Sequence, residues 1–207
     1  MYVSDLRAPL LRGLIVSSEE KPALRALQSN LFKLTAYVGS VHAAVALFET
    51  AGDLTSRWED DWKRLAAHQA IVSIYNYSMS RKGAHGLLRA CPTVKDAVNE
   101  PLLERNKESF LEAFPKLKEL RQTVLHQGEN FWNEERRREN SFRSPEVGPN
   151  ASFVMGAGNM ISSTIADNFY CASFAGAQVR LEVSSRKAIE LQALCAEFLS
   201  AFPPDPF

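Results

Sequence analysis

The feature that most constrains this chain is a recurrence of apolar residues at Leu24, Leu27, Leu31, Leu34, Val38, Val41, Val45 and Phe48. Steps of three and four, sustained from Glu19 to about Thr50, predict one long amphipathic helix, because a 3.6-residue turn gathers those positions on one face. Pro22 suits its first turn, where a missing N–H costs nothing. Ala51-Gly52-Asp53 breaks the pattern, and Thr55 or Ser56 is placed to cap a second helix over about 57–79, with Trp58, Trp62, Leu65 and Val72 on one face. Two long helices joined by so short a turn are expected to be antiparallel neighbours.

Lys82-Gly83, Gly86 and Pro92-Thr93 loosen the chain, and from about Leu102 a third apolar stripe carries Phe110, Leu111, Phe114, Leu117, Leu120, Val124 and Leu125. Pro115 removes a backbone donor inside that stripe, so a break or bend is expected between Phe114 and Lys116. After NEERRREN the texture changes. The segments SFVM, MISSTIA, FYCASF and AQVRLEV, separated by Gly156-Ala157-Gly158, Asp167-Asn168 and Ala175-Gly176, predict short antiparallel strands in a meander. Val179, Leu181 and Val183 alternate with Gln178, Arg180 and Glu182, which implies one buried and one wet face. Ser184 or Ser185 can cap a last helix through Phe202, with Leu191, Leu194, Cys195 and Phe198 on its apolar side and the tail PPDPF ending it.

The expected fold class is therefore mainly α: an antiparallel helical bundle with a small antiparallel β-meander inserted before the C-terminal helix. The 207 residues suit one domain over 1–207, with a bundle core at 20–143, the meander at 152–183 and the closing helix at 185–202.

Lysine plus arginine equals aspartate plus glutamate, 24 each, so no net field steers the whole molecule onto a nucleic acid or anionic membrane; any RNA site has to be a local patch. Arg136-Arg137-Arg138 with Arg143 is such a run, offset by Glu134, Glu135 and Glu139, and it reads first as a solvated helix end. Cys91, Cys171 and Cys195 are odd in number and far apart, which fits neither a disulfide framework nor a zinc site and points to a reducing, cytoplasmic setting. His42 and His85 have no acid or cysteine at ligand spacing, so no metal and no cofactor is expected. LLRGLIV, broken by Arg12, makes a poor signal peptide, and AAVALF at 43–48 falls far short of a bilayer span, so no membrane association is expected. Gly156-Ala157-Gly158 lacks the third glycine of a dinucleotide loop and reads as a turn.

The candidate chemistry lies in LRQTVLHQGE, residues 120–129. At about 100° per residue, Phe114, Leu117, Val124 and Leu125 share one arc, and Arg121 falls inside it, so its guanidinium is aimed at the bundle and needs a polar partner or a water-lined cleft. The second helix offers Gln69, within the arc of Trp62, Leu65 and Val72, and Asp61 at its edge. His68, near Asp61 and Tyr75, is either an accessory group or a satisfied polar residue between helices. Trp58, Trp62, Tyr75 and Tyr77 are expected in the core, Tyr77 least securely. His126 lies about 140° beyond Arg121 on a straight helix, so the two share a site only through a bend near Gly128, the reach of the arginine, or pairing across a dimer. A structural reading stands beside this one: an arginine can snorkel from a core stripe and a histidine can sit favourably at a helix C-terminus, in a non-catalytic interaction or scaffold protein.

The pair falls at the end of a bundle helix, just before an arginine-rich stretch. In this the sequence resembles the HEPN superfamily, compact α-helical bundles whose ribonuclease members carry Arg-x(4–6)-His late in the bundle. Arg121-Gln-Thr-Val-Leu-His126 has that spacing, with Gln122 where Asn, Asp or His is common in the family. The resemblance covers roughly residues 20–140 and leaves the sheet aside. It implies metal-independent RNA cleavage in a cleft between two subunits of a homodimer. In that scheme His126 exchanges a proton during attack of a ribose 2′-hydroxyl, and Arg121 holds the scissile phosphate. Gln122, Gln69, Asp61 and His68 would be accessory or supporting. A toxin-like setting would add an antitoxin or other protein partner.

Overall fold

The computed structural model describes residues 6–11, 14–51, 58–149, 154–161 and 163–203. Arg12, the Gly52-Asp53 break, the caps at Thr55 and Ser56, the strand start at Ser152-Phe153 and the end of the PPDPF tail lie outside the described residues. The chain is mainly helical, with two small antiparallel sheets ahead of its C-terminal helix. The described residues fall into two compact units. One gathers those up to His42, 76–115 and those from Ala188 on; the other holds 43–75 and 116–187.

Helix α1, Lys21–Ala51, forms where the apolar stripe predicted it. Leu27, Leu31, Leu34 and Val38 are fully buried, and Val41, Val45 and Phe48 nearly so. By length and composition α1 also qualifies as a membrane-crossing helix, a property that the core helix of a folded protein shares; its stripe here is covered by protein. A capping box opens it. Ser17 Oγ accepts from the Glu20 N–H at 3.3 Å, and Glu20 Oε2 accepts from the Ser17 N–H at 3.0 Å, so two orphan donors are satisfied reciprocally. The same carboxylate accepts from the Thr93 N–H at 2.9 Å, in the first turn of α3, Pro92–Lys95.

Helix α2, Glu59–Leu87, continues well beyond the predicted end near 79 and passes through Gly83 and Gly86. Gly83 is useful there, since a Cβ at that position would meet the Asn30 amide at 3.1 Å. The face of α2 also differs from the expectation. Trp58, Trp62 and Leu65 are 52%, 44% and 55% exposed, whereas Ala66, Ala67, Ala70, Ile71, Ile74 and Tyr77 are buried. Tyr77, expected to be the least secure of the aromatic residues, is fully buried and stacks on Phe110. Ala66, Ala70, Ile74 and Tyr77 keep the same three- and four-residue spacing as the larger side chains, and small alanines let neighbouring backbone approach closely enough to exclude water.

In the first unit, α4, Glu100–Ala113, starts at Asn99, whose side chain accepts from the Leu102 N–H at 3.1 Å. Its buried Asn106 donates to the Leu194 carbonyl at 2.8 Å, on the closing helix α8, Ser185–Ser200. Arg81 donates to the Asn106 carbonyl at 3.1 Å and covers the Phe110 ring at 4.5 Å. That arrangement satisfies a charge that is only 4% exposed.

The expected break appears between Phe114 and Lys116, where the residues of the first unit end and those of the second resume along the chain. Lys116 adopts a left-handed backbone with φ of 54°, and α5, Leu117–Leu125, begins directly after it. Two short helices follow, α6 at Gln127–Trp132 and α7 at Glu134–Asn140. Strands β1, Glu146–Val147, and β2, Val154–Met155, pair with each other and stand apart from the meander, which therefore lacks the first of its four expected strands. The meander itself is β3, Thr164–Ala166, β4, Phe169–Phe174, and β5, Ala177–Glu182, in the order β3-β4-β5. Its turns are the predicted Asp167-Asn168 and Ala175-Gly176, the latter a primed two-residue turn with φ of 50° and 83°. Val179, Leu181 and Val183 are buried, as their alternation requires.

The capping box yields a pH test. The backbone donors of Thr93 and then Ser17 hold the Glu20 carboxyl down to about 2 from its ordinary 4.5. A pKa depressed in the fold means stability that is fully present above 4.5 and lost as pH falls toward 2. Glu20→Gln should therefore lower the unfolding midpoint at neutral pH, and urea titrations should find the gap to the wild type closing near the acid limit. An equal gap at both pH values would contradict the assignment.

Candidate anion-binding cleft around His126

The buried face of α5 consists of Leu117, Leu120 and Thr123. Thr123 meets the buried Tyr170 hydroxyl of β4 at 3.4 Å, which fixes the roll of the helix against the sheet. With that face inward, Lys118, Gln122 and His126, at i, i+4 and i+8, line a second side about 100–180° from Leu117. All three open onto one cleft of about 480 Å³. His126 ends α5 and precedes α6, so the helix is interrupted there, two residues before the expected bend at Gly128.

The opposite walls come from α7, the segment after it, and the β4–β5 turn: Arg136, Glu139, Asn140, Arg143, Phe174 and Ala175. Asn140 is buried and joins two of these walls. Its Oδ1 accepts from the Ala175 N–H at 3.0 Å and its Nδ2 donates to the Arg136 carbonyl at 2.8 Å. The Arg143 N–H donates to the Gly176 carbonyl at 3.2 Å, and the Arg143 side chain lies across Gly176.

Three cations, Lys118, Arg136 and Arg143, thus line the cleft together with one carboxylate, Glu139. Among the described residues, none of Lys118, Arg136 and Arg143 has a carboxylate within ion-pair distance. Arg138, from the same run, is by contrast neutralised by Glu134 at 2.6 Å. The solvated helix end expected from RRR is therefore divided: Arg138 is spent in an ion pair and Arg136 is offered to the cleft. His126 Nδ1 lies 3.1 Å from Glu129 Oε2, and its side chain is 38% exposed.

The other predicted residues lie elsewhere in this unit. Arg121 is half-buried with its guanidinium 4.5 Å from the Tyr75 ring centroid, so an aromatic face is its partner. It is not among the residues lining the cleft. Asp61 pairs with Arg64 at 3.3 Å, and the exposed Gln69 donates to Ser73 at 3.1 Å. His68 sets its ring edge against Tyr170, 5.3 Å between centroids, with Nε2 buried and unbonded. Burial, then the nearby Arg64, push its pKa below the ordinary histidine value, which favours the neutral ring. Gln122 and His126 are brought together at the cleft; Arg121, Asp61, Gln69 and His68 have partners of their own outside it.

Thiol chemistry has no foothold here. All three cysteines are buried, and burial raises each pKa, to about 11 for Cys171 and about 12 for Cys195. The described residues contain no cluster of histidine, cysteine and carboxylate able to hold a metal ion. No protein-family model, curated protein or solved structure matches the chain.

A double-mutant cycle on Arg121→Ala and Tyr75→Leu should return a coupling of about 0.5–1 kcal/mol in urea unfolding, the range for a partly exposed cation over a ring. Additive losses would mean that the stacking contributes nothing.

Proposed function

We propose that this chain is a HEPN-like, metal-independent endoribonuclease that takes an RNA phosphodiester into the cleft beside His126, working in the cytoplasm as a homodimer. The observation that carries the reading is the group of three cations that, among the described residues, have no carboxylate partner, set around an accessible imidazole. Such a site suits a phosphodiester: the cations hold the anion and the charge that develops on it, while the imidazole offers a ring nitrogen to take and return a proton.

With Nδ1 donating to Glu129, Nε2 is the nitrogen left to accept the proton of a ribose 2′-hydroxyl. The 2′-oxygen then attacks phosphorus, the bond to the 5′-oxygen breaks, and the products are a 2′,3′-cyclic phosphate and a 5′-hydroxyl that takes its proton from solvent. Gln122, one turn before His126 on the same face, is placed to donate an amide hydrogen to a phosphate oxygen. Arg121 stands outside this scheme within one chain, and it joins only if a second subunit presents it.

The stacking of Arg121 on Tyr75 favours a second reading. In it the Arg-x4-His spacing is structural and the chain is a non-catalytic interaction protein.

Purified wild-type protein and His126→Ala, incubated with single-stranded and structured RNA in the presence of a chelator, separate the two. The nuclease reading predicts cleavage that leaves 2′,3′-cyclic phosphate ends and falls by about 100-fold or more in His126→Ala, the usual weight of a general base. Equal cleavage by both proteins, or none by either, would leave the interaction module standing.

A further inference from the structure

Among the cleft's cations, Arg143 has a seat built for it. A Cβ at position 176 would lie 2.6 Å from Arg143 Cγ and 2.7 Å from its Nε, distances that real Cβ atoms do not adopt. Gly176 also needs its φ of 83° to close the two-residue turn. The glycine therefore serves twice, since it turns the chain and leaves a bare surface on which the arginine stem lies flat. Asn140 holds the adjoining Ala175 N–H, and the Arg143 backbone is tied to Gly176, so both ends of the seat are fixed.

Beside this seat Phe174, the last residue of β4, lines the cleft half-buried. An aromatic wall next to unpaired cations is the pairing that proteins use for single strands, in which splayed bases stack on the ring while the backbone is held by charge. A duplex keeps its base faces stacked on one another and cannot use the ring.

We infer that Arg143, laid on Gly176, is the principal phosphate anchor of the cleft and that Phe174 stacks an unpaired base, so the ligand is a single-stranded RNA segment. This rests on the cleft being the RNA site and names a cation outside the Arg-x4-His pair. Arg143 binds the phosphate directly, while Gly176 acts through it as a positioning residue.

The test uses a fluorescently labelled 2′-O-methyl uridine octamer, which binds but has no 2′-hydroxyl to react, followed by anisotropy over a range of salt concentrations. Inorganic phosphate and a duplex of equal charge serve as competitors, and Arg105→Ala is the remote control. Arg143→Ala should weaken binding about tenfold and make the log–log salt slope shallower by about 0.7, the value for one phosphate contact on a single strand. Arg143→Lys should restore much of that slope, because it keeps the charge. Gly176→Ala should resemble Arg143→Ala, and Phe174→Leu should weaken the octamer without changing its salt slope.

Wild-type affinity and slope in Arg143→Ala would overturn the assignment, as would a duplex that competes as well as the unlabelled octamer. The two proposals fail separately. Octamer binding that depends on Arg143, without RNA cleavage by the wild type, keeps this inference and removes the nuclease; His126-dependent cleavage with Arg143-independent binding does the reverse.

Discussion

One buried amide holds the cleft in shape. Asn140 accepts from the Ala175 N–H and donates to the Arg136 carbonyl, so the end of α7 and the tip of the β4–β5 hairpin are tied through a single side chain. Both ends of that amide are occupied by backbone, which is the condition under which a polar group is tolerated inside a protein. Arg136, Arg143 and Phe174 all lie within a few residues of these bonds. Remove the amide and the Ala175 N–H loses its acceptor, while the walls that carry the cations lose their common reference.

Charge placement follows from the same local architecture. The chain is neutral as a whole, with 24 residues of each sign, yet the neutralisation is uneven. Glu134 is spent on Arg138 and Glu129 lies against His126, so among the described residues Glu139 is the one carboxylate that lines the cleft with Lys118, Arg136 and Arg143. Uncompensated cations in a concave surface focus potential where the net charge predicts none. Arg121 is the opposite case. Its charge is directed at the face of Tyr75, and an arginine on a ring is a common way to keep a half-buried guanidinium without a carboxylate.

The parts of the fold that were legible in the sequence depend on short-range order. The stripe of α1, the break at Pro115 and the in–out alternation of β5 each follow from spacing within a few residues, and each took the form predicted for it. On α2 size and fit part company: Trp58, Trp62 and Leu65 share a helical spacing, but so do Ala66, Ala70, Ile74 and Tyr77, and it is this second set that is buried. The arc that holds Arg121 inward requires Leu125 to be inward too, whereas Leu125 is 50% exposed and Leu120 lies at the centre of the buried face. The cleft was only half visible. Lys118, Gln122 and His126 form a polar stripe that periodicity alone could have isolated, and Ser17-Ser18-Glu19-Glu20 carries a capping-box signature. Arg143 and Phe174 reach the same space only through tertiary folding, and no local pattern marks a glycine as the seat of an arginine.

The central claim is that an anionic strand is held at this one cleft by these particular side chains. Heteronuclear NMR on uniformly 15N-labelled protein, titrated with a 2′-O-methyl uridine trinucleotide, observes it directly. The account predicts that the largest shifts fall on the His126 ring nitrogens, the Arg143 Nε–H, the Gln122 amide and the backbone of Phe174 to Gly176. Saturable shifts confined to other surfaces, or no shifts at all, would contradict it.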